Sequence, residues 1–244
     1  MLHNTFCRRL AALVLTLAVA VSAVLPVFAV YPMPIQTATE TEAVYLFNAD
    51  TGKTLLTQNA DQPRYVASLT KMMTALLLLE SGKDLNGEVT VPTDLTQEFK
   101  DIQNANGTTM GLRIGETVRR IDLLNALLIT SANDAASVIA WDMGGSLNAF
   151  IQQMNARAAE LGCTSATFTC AHGLYDYGNV ASAEDMAKIA AACAANETFA
   201  QVAGSTTYTL GPTHFPGAQR PNSGSNPPND ASGDYKQASD KTVQ

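Results

Sequence analysis

Residues 68–79 read SLTKMMTALLLL, which sets a serine and a lysine at the start of an apolar run. Residues three positions apart lie side by side on a helix, so a helix beginning near Ser68 places its hydroxyl beside the amine of Lys71. The run is apolar almost all round and predicts a buried helix, in which the pKa of Lys71 is lowered. A neutral lysine beside a serine is a base beside a nucleophile, and unpaired N–H groups at the helix start face the same place. The pattern alone is equally typical of a solvated helix pair, so its interpretation depends on the rest of the chain.

The composition favours one globular domain with room for a small extra lobe. The chain has 244 residues, of which 46% are hydrophobic and 15% are charged. A net charge of −7 argues against a nucleic-acid partner. The three histidines, His3, His172 and His214, are too few and too scattered for a His-based metal site or an obvious Ser-His-Asp triad. A serine enzyme of this composition needs a lysine as its base.

The N-terminus has the pattern of an export signal. Arg8 and Arg9 precede an uncharged apolar run at residues 10–24, and residues 27–29 read VFA, which resembles a small-residue cleavage site. We therefore expect a signal peptide at residues 1–29 and export of the remainder to the extracellular or periplasmic face and the cell wall. The alternative is an uncleaved N-terminal anchor, although the run is short for a bilayer span.

Three cysteines remain after the signal segment, an odd number for an exported protein: Cys163, Cys170 and Cys193. Small buried side chains are the favoured interpretation, and a Cys163–Cys170 pair is the alternative.

Alternating and helical periodicities predict a mixed α and β chain. The predicted strands are a hairpin at residues 43–47 and 54–58, then 89–91 and 206–210; the predicted helices are 68–81, 121–129, 134–143, 146–161 and 182–195. Residues 93–107 are polar and are expected to be irregular. We assign residues 30–42 to a leader or linker and 43–213 to a catalytic domain. Residues 214–244 are assigned to a disordered tail, because Pro, Asn, Ser, Gly and Asp dominate them.

A second hydroxyl and a carboxamide lie in the break between two apolar helices, in the tripeptide Ser131-Ala132-Asn133. There, Ser131 could relay a proton to a leaving amine, and the Asn133 amide could hold a substrate carbonyl and fix Lys71. The alternative is that both residues only cap the following helix. The same S-x-N spacing recurs at residues 146–148, so the order of the motifs carries more information than the tripeptide.

S-x-x-K at a buried helix start followed by S-x-N is the signature of penicillin-binding proteins and class A β-lactamases. Within that group the chain resembles the low-molecular-weight penicillin-binding proteins that are serine-type D-alanyl-D-alanine carboxypeptidases of the peptidase S11 family. The likeness covers about residues 43–210, and the matching stretches are 67–75 (ASLTKMMTA), 123–136 (LLNALLITSANDAA), 150–155 (FIQQMN) with Ala158 and 161–162, Phe168, 172–174 (HGL) and 182–187 (SAEDMA).

The resemblance implies an α+β fold of the α/β sandwich type, in which a helical cluster packs with an antiparallel sheet. It implies that Ser68 attacks the bond between two D-alanines of a peptidoglycan stem peptide, that Lys71 accepts its proton, and that Ser131 returns a proton to the departing D-alanine. Water then hydrolyses the acyl-enzyme, with no metal or organic cofactor, and β-lactams acylate Ser68 as substrate mimics. His172 is more readily interpreted as part of a structural turn, with Gly173 at the bend, than as a catalytic residue.

The family's third motif, Lys-Thr-Gly, is matched only in part by Lys241-Thr242-Val243. By resemblance, Lys241 and Thr242 bind the terminal carboxylate of the substrate, and Gln244 supplies an oxyanion N–H. Val243 adds a branched side chain where the family has a glycine. A disordered tail with a chance Lys-Thr pair is an equally good interpretation of these residues.

The family's sheet continues beyond this motif and is usually followed by a β-rich domain and a membrane-binding helix. From their absence we expect a truncated or frame-shifted product with an incomplete sheet and weak or no activity. An association with the membrane surface is left open.

Two alternatives to the carboxypeptidase stay open. One is a class A-like β-lactamase, which needs an added carboxylate to activate the deacylating water. The other is a non-catalytic fragment that binds wall peptides.

Overall fold

The computed structural model describes residues 41–174 and 176–215, together with the backbone of residues 242–243. The predicted signal peptide and nearly all of the leader therefore lie outside the described residues, as do Lys241 and Gln244 and most of the predicted tail. Within the part of the chain that the structure describes, no helix has both the length and the apolar character needed to cross a bilayer.

Helices form most of the regular secondary structure in the described part of the chain. They are α1 (Thr70–Glu80), α2 (Thr96–Asn104), α3 (Arg120–Ile129), α4 (Asn133–Gly144), α5 (Leu147–Glu160), α6 (Ala183–Ala194) and α7 (Glu197–Ala203). The first of them, α1, is the centre of the fold and packs against α3, α4, α6 and α7. Its side chains from Met73 to Leu78 are almost all inaccessible, because helices cover it on several sides. The all-round apolar pattern thus predicted its burial correctly.

The strands are short and pair antiparallel. They are β1 (Val44–Phe47), β2 (Thr54–Gln58), β3 (Arg64–Tyr65), β4 (Glu88–Thr90), β5 (Thr117–Arg119), β6 (Val180–Ala181), β7 (Tyr208–Thr209) and β8 (Thr242–Val243). Among the described residues they form the pairs β1–β2, β3–β6, β4–β5 and β7–β8. The pair β1–β2 confirms the predicted hairpin, and β1 packs on α6. The chain is therefore an α+β protein.

The helix termini follow the local sequence rules. Gly82 follows α1 with a φ of +70°, as expected for a glycine after a helix end. The Ser182 hydroxyl accepts the N–H of Asp185 at the start of α6, as expected for a serine at a helix N-cap. The thiols of Cys163, Cys170 and Cys193 are free, so the alternative of a Cys163–Cys170 disulfide is wrong.

The expectation of an irregular segment at residues 93–107 is wrong, because most of it is the helix α2. Within α2 only Phe99 and Ile102 face the core, and Ile102 is 1% exposed. Two apolar residues three positions apart are a weak sequence signal. Tertiary contact with α4 supplies the stabilisation that the local pattern does not indicate.

The break between α3 and α4 is held by a buried carboxylate. Asp134 is 3% exposed, and its oxygens accept the backbone N–H groups of Met110, Gly111 and Leu112 at 2.9–3.0 Å. These bonds tie the segment before β5 to the first turn of α4. They therefore also fix the position of Asn133, the first residue of that helix.

Replacing Asp134 by alanine should lower the free energy of unfolding by about 3 kcal/mol or more, because three N–H groups lose their acceptor. Urea denaturation followed by circular dichroism measures this change. The matched variant Asp101→Ala removes an exposed carboxylate that accepts only the Gln97 amide and should change stability by less than about 0.5 kcal/mol. Equal losses in the two variants would contradict this account.

Candidate active site

Ser68 and Lys71 lie side by side, as the spacing predicted. Ser68 is in a 3-10 turn formed by Ala67–Leu69, and Lys71 is the second residue of α1. The Lys71 Nζ is 3.2 Å from the Ser68 Oγ. The turn rather than the α-helix carries the serine, so its hydroxyl lies at the rim of the fold while the lysine points inward.

The amine of Lys71 is buried, since the residue is 2% exposed, and it has two further partners. Its Nζ lies 2.8 Å from the Asn133 Oδ1 and 2.6 Å from the backbone oxygen of His172. The Asn133 Nδ2 donates to the backbone oxygen of Thr108, which identifies its Oδ1 as the atom that faces the lysine. Both of these partners are oxygens that can only accept.

This environment determines where the lone pair of a neutral Lys71 points. A neutral amine has two N–H groups and one lone pair, and the two N–H groups satisfy Asn133 and His172. The lone pair is left facing Ser68, the one partner of the three that can donate a proton. The arrangement therefore directs the lone pair of a neutral Lys71 at the Ser68 hydroxyl.

The electrostatics favour that neutral form. Burial lowers the pKa of Lys71 from its ordinary value to about 8, although the charge of Cys170 opposes the change. A pKa near 8 leaves an appreciable fraction of the amine unprotonated at neutral pH. It is also close to the value that suits a general base working there.

Ser131 approaches Ser68 from the other side. Its Oγ lies 2.9 Å from the Ser68 Oγ, in the three-residue break between α3 and α4. Its φ of +58° is in the left-handed region, and Ala67 next to Ser68 has a φ of +45°. Such conformations cost a non-glycine residue about 1 kcal/mol or more, and they cluster at functional sites. No sequence pattern identified Ala67 as a strained residue.

An open cleft reaches the hydroxyls. Its volume is about 380 Å³, and it is lined by Val66, Ala67, Ser68, Leu69, Lys71, Met72, Leu127, Leu128 and Ser131. The lining is apolar apart from the reactive groups.

The loop at residues 170–174 presses against the turn that carries Ser68. Gly173 has a φ of +79°, and a Cβ at this position would overlap the carbonyl group of Ala67. The imidazole of His172 contacts the Glu98 carboxylate at 3.0 Å, whereas the backbone oxygen of the same residue contacts Lys71. The loop contacts Lys71 through the carbonyl oxygen of His172. Because a backbone atom makes this contact, no sequence pattern predicts it.

The structure thus brings together Ser68, Lys71, Ser131 and Asn133. For the third motif it describes only the backbone of Thr242 and Val243, which form β8 opposite Tyr208 and Thr209. The sequence analysis did not single out Glu98, whose segment it expected to be irregular. Within the described residues, no group of three or more His, Cys, Asp or Glu side chains is placed to hold a metal ion.

Comparison with known proteins decides the family. Residues 32–211 match the family described as Peptidase S11, D-alanyl-D-alanine carboxypeptidase. The chain belongs to this family. It is 33% identical over 153 residues to the D-alanyl-D-alanine carboxypeptidase DacF of Bacillus subtilis, in a match that covers 63% of this chain and 39% of DacF. It is 32% identical over 175 residues to a D-alanyl-D-alanine endopeptidase of Pseudomonas aeruginosa, covering 72% and 54% of the two chains.

The solved structures agree with this assignment. The crystal structure of the Streptomyces K15 DD-transpeptidase matches this peptidase S11 chain with a TM-score of 0.64 and 32% identity, over 71% of this chain and 68% of the other. A D-alanyl-D-alanine carboxypeptidase of Mycobacterium tuberculosis matches with a TM-score of 0.61 and 30% identity, over 68% and 60%. The predicted DD-peptidase fold is therefore confirmed. The present chain spans about half or less of the length of the two curated relatives named above.

The variant Gly173→Ala should destabilise the protein by about 3 kcal/mol or more, since its Cβ meets the Ala67 carbonyl in addition to the strained φ. Gly162→Ala is the matched control, because Gly162 has a φ of +75° and an added methyl group there would have no atom within 4 Å. That control should lose about 1 kcal/mol. Urea denaturation compares the two, and equal losses would show that the contact with Ala67 has no energetic weight.

Proposed function

We propose that this chain is a penicillin-sensitive serine D-alanyl-D-alanine carboxypeptidase that removes the terminal D-alanine from peptidoglycan stem peptides. The observation that carries this proposal is the environment of Lys71. Two acceptor-only oxygens occupy its N–H groups, and Ser68 is the partner left to donate a proton. Membership of the peptidase S11 family supports the choice of substrate.

Acylation follows from the contacts of the two serines. As the Ser68 Oγ attacks the carbonyl carbon of the penultimate D-alanine, its proton moves to the Lys71 Nζ, and the carbonyl electrons move onto oxygen. Collapse of this tetrahedral intermediate re-forms the carbonyl and breaks the C–N bond. The departing nitrogen takes a proton from Ser131, which lies 2.9 Å from the Ser68 Oγ and recovers a proton from the lysine.

Deacylation reuses the same base. Water attacks the ester carbon and gives its proton to the neutral Lys71. As the tetrahedral intermediate collapses, the bond from carbon to the Ser68 oxygen breaks and that oxygen takes the proton back from the Lys71 ammonium. The products are the shortened peptide and free enzyme. A β-lactam follows the acylation step alone, because its ring nitrogen stays attached to the acyl group after the C–N bond breaks.

Lys241 and Thr242 are proposed to bind the terminal carboxylate of the substrate. Support comes from the backbone of β8, where Thr242 pairs with Thr209 in an antiparallel ladder. A lysine and a hydroxyl are suitable partners for a carboxylate.

We further propose that the protein is exported and acts at the cell wall. The charged and apolar pattern of residues 8–29 supports this localisation. The peptidoglycan substrate is itself extracytoplasmic, which agrees with export.

The β-lactamase alternative gains no support from the cleft. None of the nine described residues that line it carries a carboxylate, the group that a class A enzyme uses to activate water.

Fluorescent penicillin should label the purified chain with one equivalent, and peptide mapping should place the label on Ser68. Ser68→Ala should abolish labelling, because the nucleophile is lost. Ser205→Ala removes an exposed hydroxyl bound only to the Gln201 carbonyl and should label normally. Stoichiometric labelling would also show that the expectation of weak or no activity is wrong. A folded wild-type chain that is not labelled would contradict the proposed function.

The acylation rate should depend on pH through Lys71. The neutral base is the active form and its pKa is about 8, so the rate constant should rise about tenfold per pH unit below 8 and level off above it. Stopped-flow measurement with a chromogenic β-lactam gives this profile. A rate that is flat from about pH 5 to about pH 9 would exclude Lys71 as the base.

A further inference from the structure

The two acceptors that orient Lys71 come from separate parts of the chain. One is the backbone oxygen of His172, in the loop before β6, and the other is the Asn133 side chain at the first residue of α4. Because their sequence positions are far apart, other contacts must hold the two acceptors in place relative to each other if the lone pair of Lys71 is to face Ser68. A single carboxylate, that of Glu98 on α2, is bonded to both parts.

The first connection runs through the imidazole of His172. The Leu174 N–H donates to its Nδ1 at 3.0 Å, so in the neutral ring the proton lies on Nε2. Although burial opposes the change, hydrogen bonds with Cys170 and Glu98 raise the pKa of His172 to about 9, and in the charged ring Nε2 carries a proton as well. That Nε2–H donates to the Glu98 Oε1 at 3.0 Å. The ring is thus fixed at both nitrogens, and this fixes the residue whose carbonyl accepts from Lys71.

The second connection runs through Ser137. Its hydroxyl lies 2.9 Å from the same Oε1 of Glu98 and 3.3 Å from the backbone oxygen of Asn133, one turn earlier on α4. The carboxylate therefore fixes α2 against the first turn of α4. The Asn133 amide is held in turn by the Thr108 carbonyl.

Glu98 does not line the cleft that reaches Ser68. Its side chain is 23% exposed and borders a different cavity, of about 390 Å³, which is also lined by Ile102, Leu147 and Cys170. The hydrogen bond from His172 lowers the pKa of the Glu98 carboxyl, which keeps it an acceptor for both donors. Any influence on the reaction must pass through His172 and Ser137.

We infer that Glu98 is a positioning residue for the general base, because it joins the His172 loop and the first turn of α4 into one unit that aims the Lys71 amine at Ser68. Its importance for acylation rests on the proposed function. Its effect on the lysine itself does not depend on any activity.

The kinetic test separates binding from chemistry. Glu98→Ala should lower the first-order acylation constant of a chromogenic β-lactam by about 10- to 100-fold with its dissociation constant unchanged, since a misplaced catalytic group slows the chemical step. Glu98→Gln keeps an oxygen acceptor and should recover most of the rate. Asp101→Ala, on the same helix and bordering the same cavity, should acylate like the wild type.

A spectroscopic test needs no activity. At about pH 6 the Lys71 ammonium is protonated and donates to its fixed acceptors, so its ¹⁵Nζ–H signal should exchange slowly with water. In Glu98→Ala this exchange should be at least about tenfold faster, and in Glu98→Gln it should stay slow. The signal is assigned by its loss in Lys71→Gln.

Three results would overturn the inference. They are unchanged ammonium exchange in Glu98→Ala, a weaker dissociation constant with an unchanged acylation constant, or a Glu98→Gln variant as impaired as Glu98→Ala. If Glu98→Ala does not fold, Ser137→Ala, which removes only the link to α4, should still accelerate the ammonium exchange. A wild-type chain that shows the slow signal but no acylation would contradict the proposed function and leave the positioning role supported.

Discussion

The amine of Lys71 lies among three oxygen atoms, and only one of them belongs to a group that can also donate a proton. This difference directs the lone pair of the neutral amine toward Ser68, and the rest of the site depends on it. Burial favours the neutral form of Lys71, but burial alone does not orient its lone pair. The directional element comes from the acceptors on Asn133 and His172, which arrive from two different parts of the chain.

This arrangement costs stability. The pKa of Lys71 falls from its ordinary value to about 8 on folding, which corresponds to roughly 3 kcal/mol. The unfolded chain binds the extra proton between these two pKa values, so this cost is greatest below pH 8 and declines as the pH rises from 8 toward the ordinary pKa of lysine. The left-handed backbones of Ala67 and Ser131 add strain at the same place. The core around α1 offsets these costs, because the later turns of this helix take no part in the site and are almost fully buried.

The loop at residues 170–174 is tightly held by its neighbours. Thr74 donates its hydroxyl to the Ala171 carbonyl at 2.6 Å, and Gly173 packs directly on Ala67. Asn179 also donates to Thr70 at 2.8 Å. These contacts hold the loop and Asn179 against α1 and the turn before it, so the His172 carbonyl that accepts from Lys71 is held close to the turn that carries Ser68.

The sequence by itself determined the strongly periodic helices, the hairpin and the pairing of Ser68 with Lys71, because these depend on neighbours within a few positions. It did not indicate α2, whose two inward side chains, Phe99 and Ile102, are stabilised by contact with α4. Nor could it show that a carbonyl at His172 and a carboxylate at Glu98 belong to the site. A backbone oxygen has no sequence signature, and a glutamate on a polar segment resembles any solvated one, so only the tertiary structure decided which groups surround the lysine.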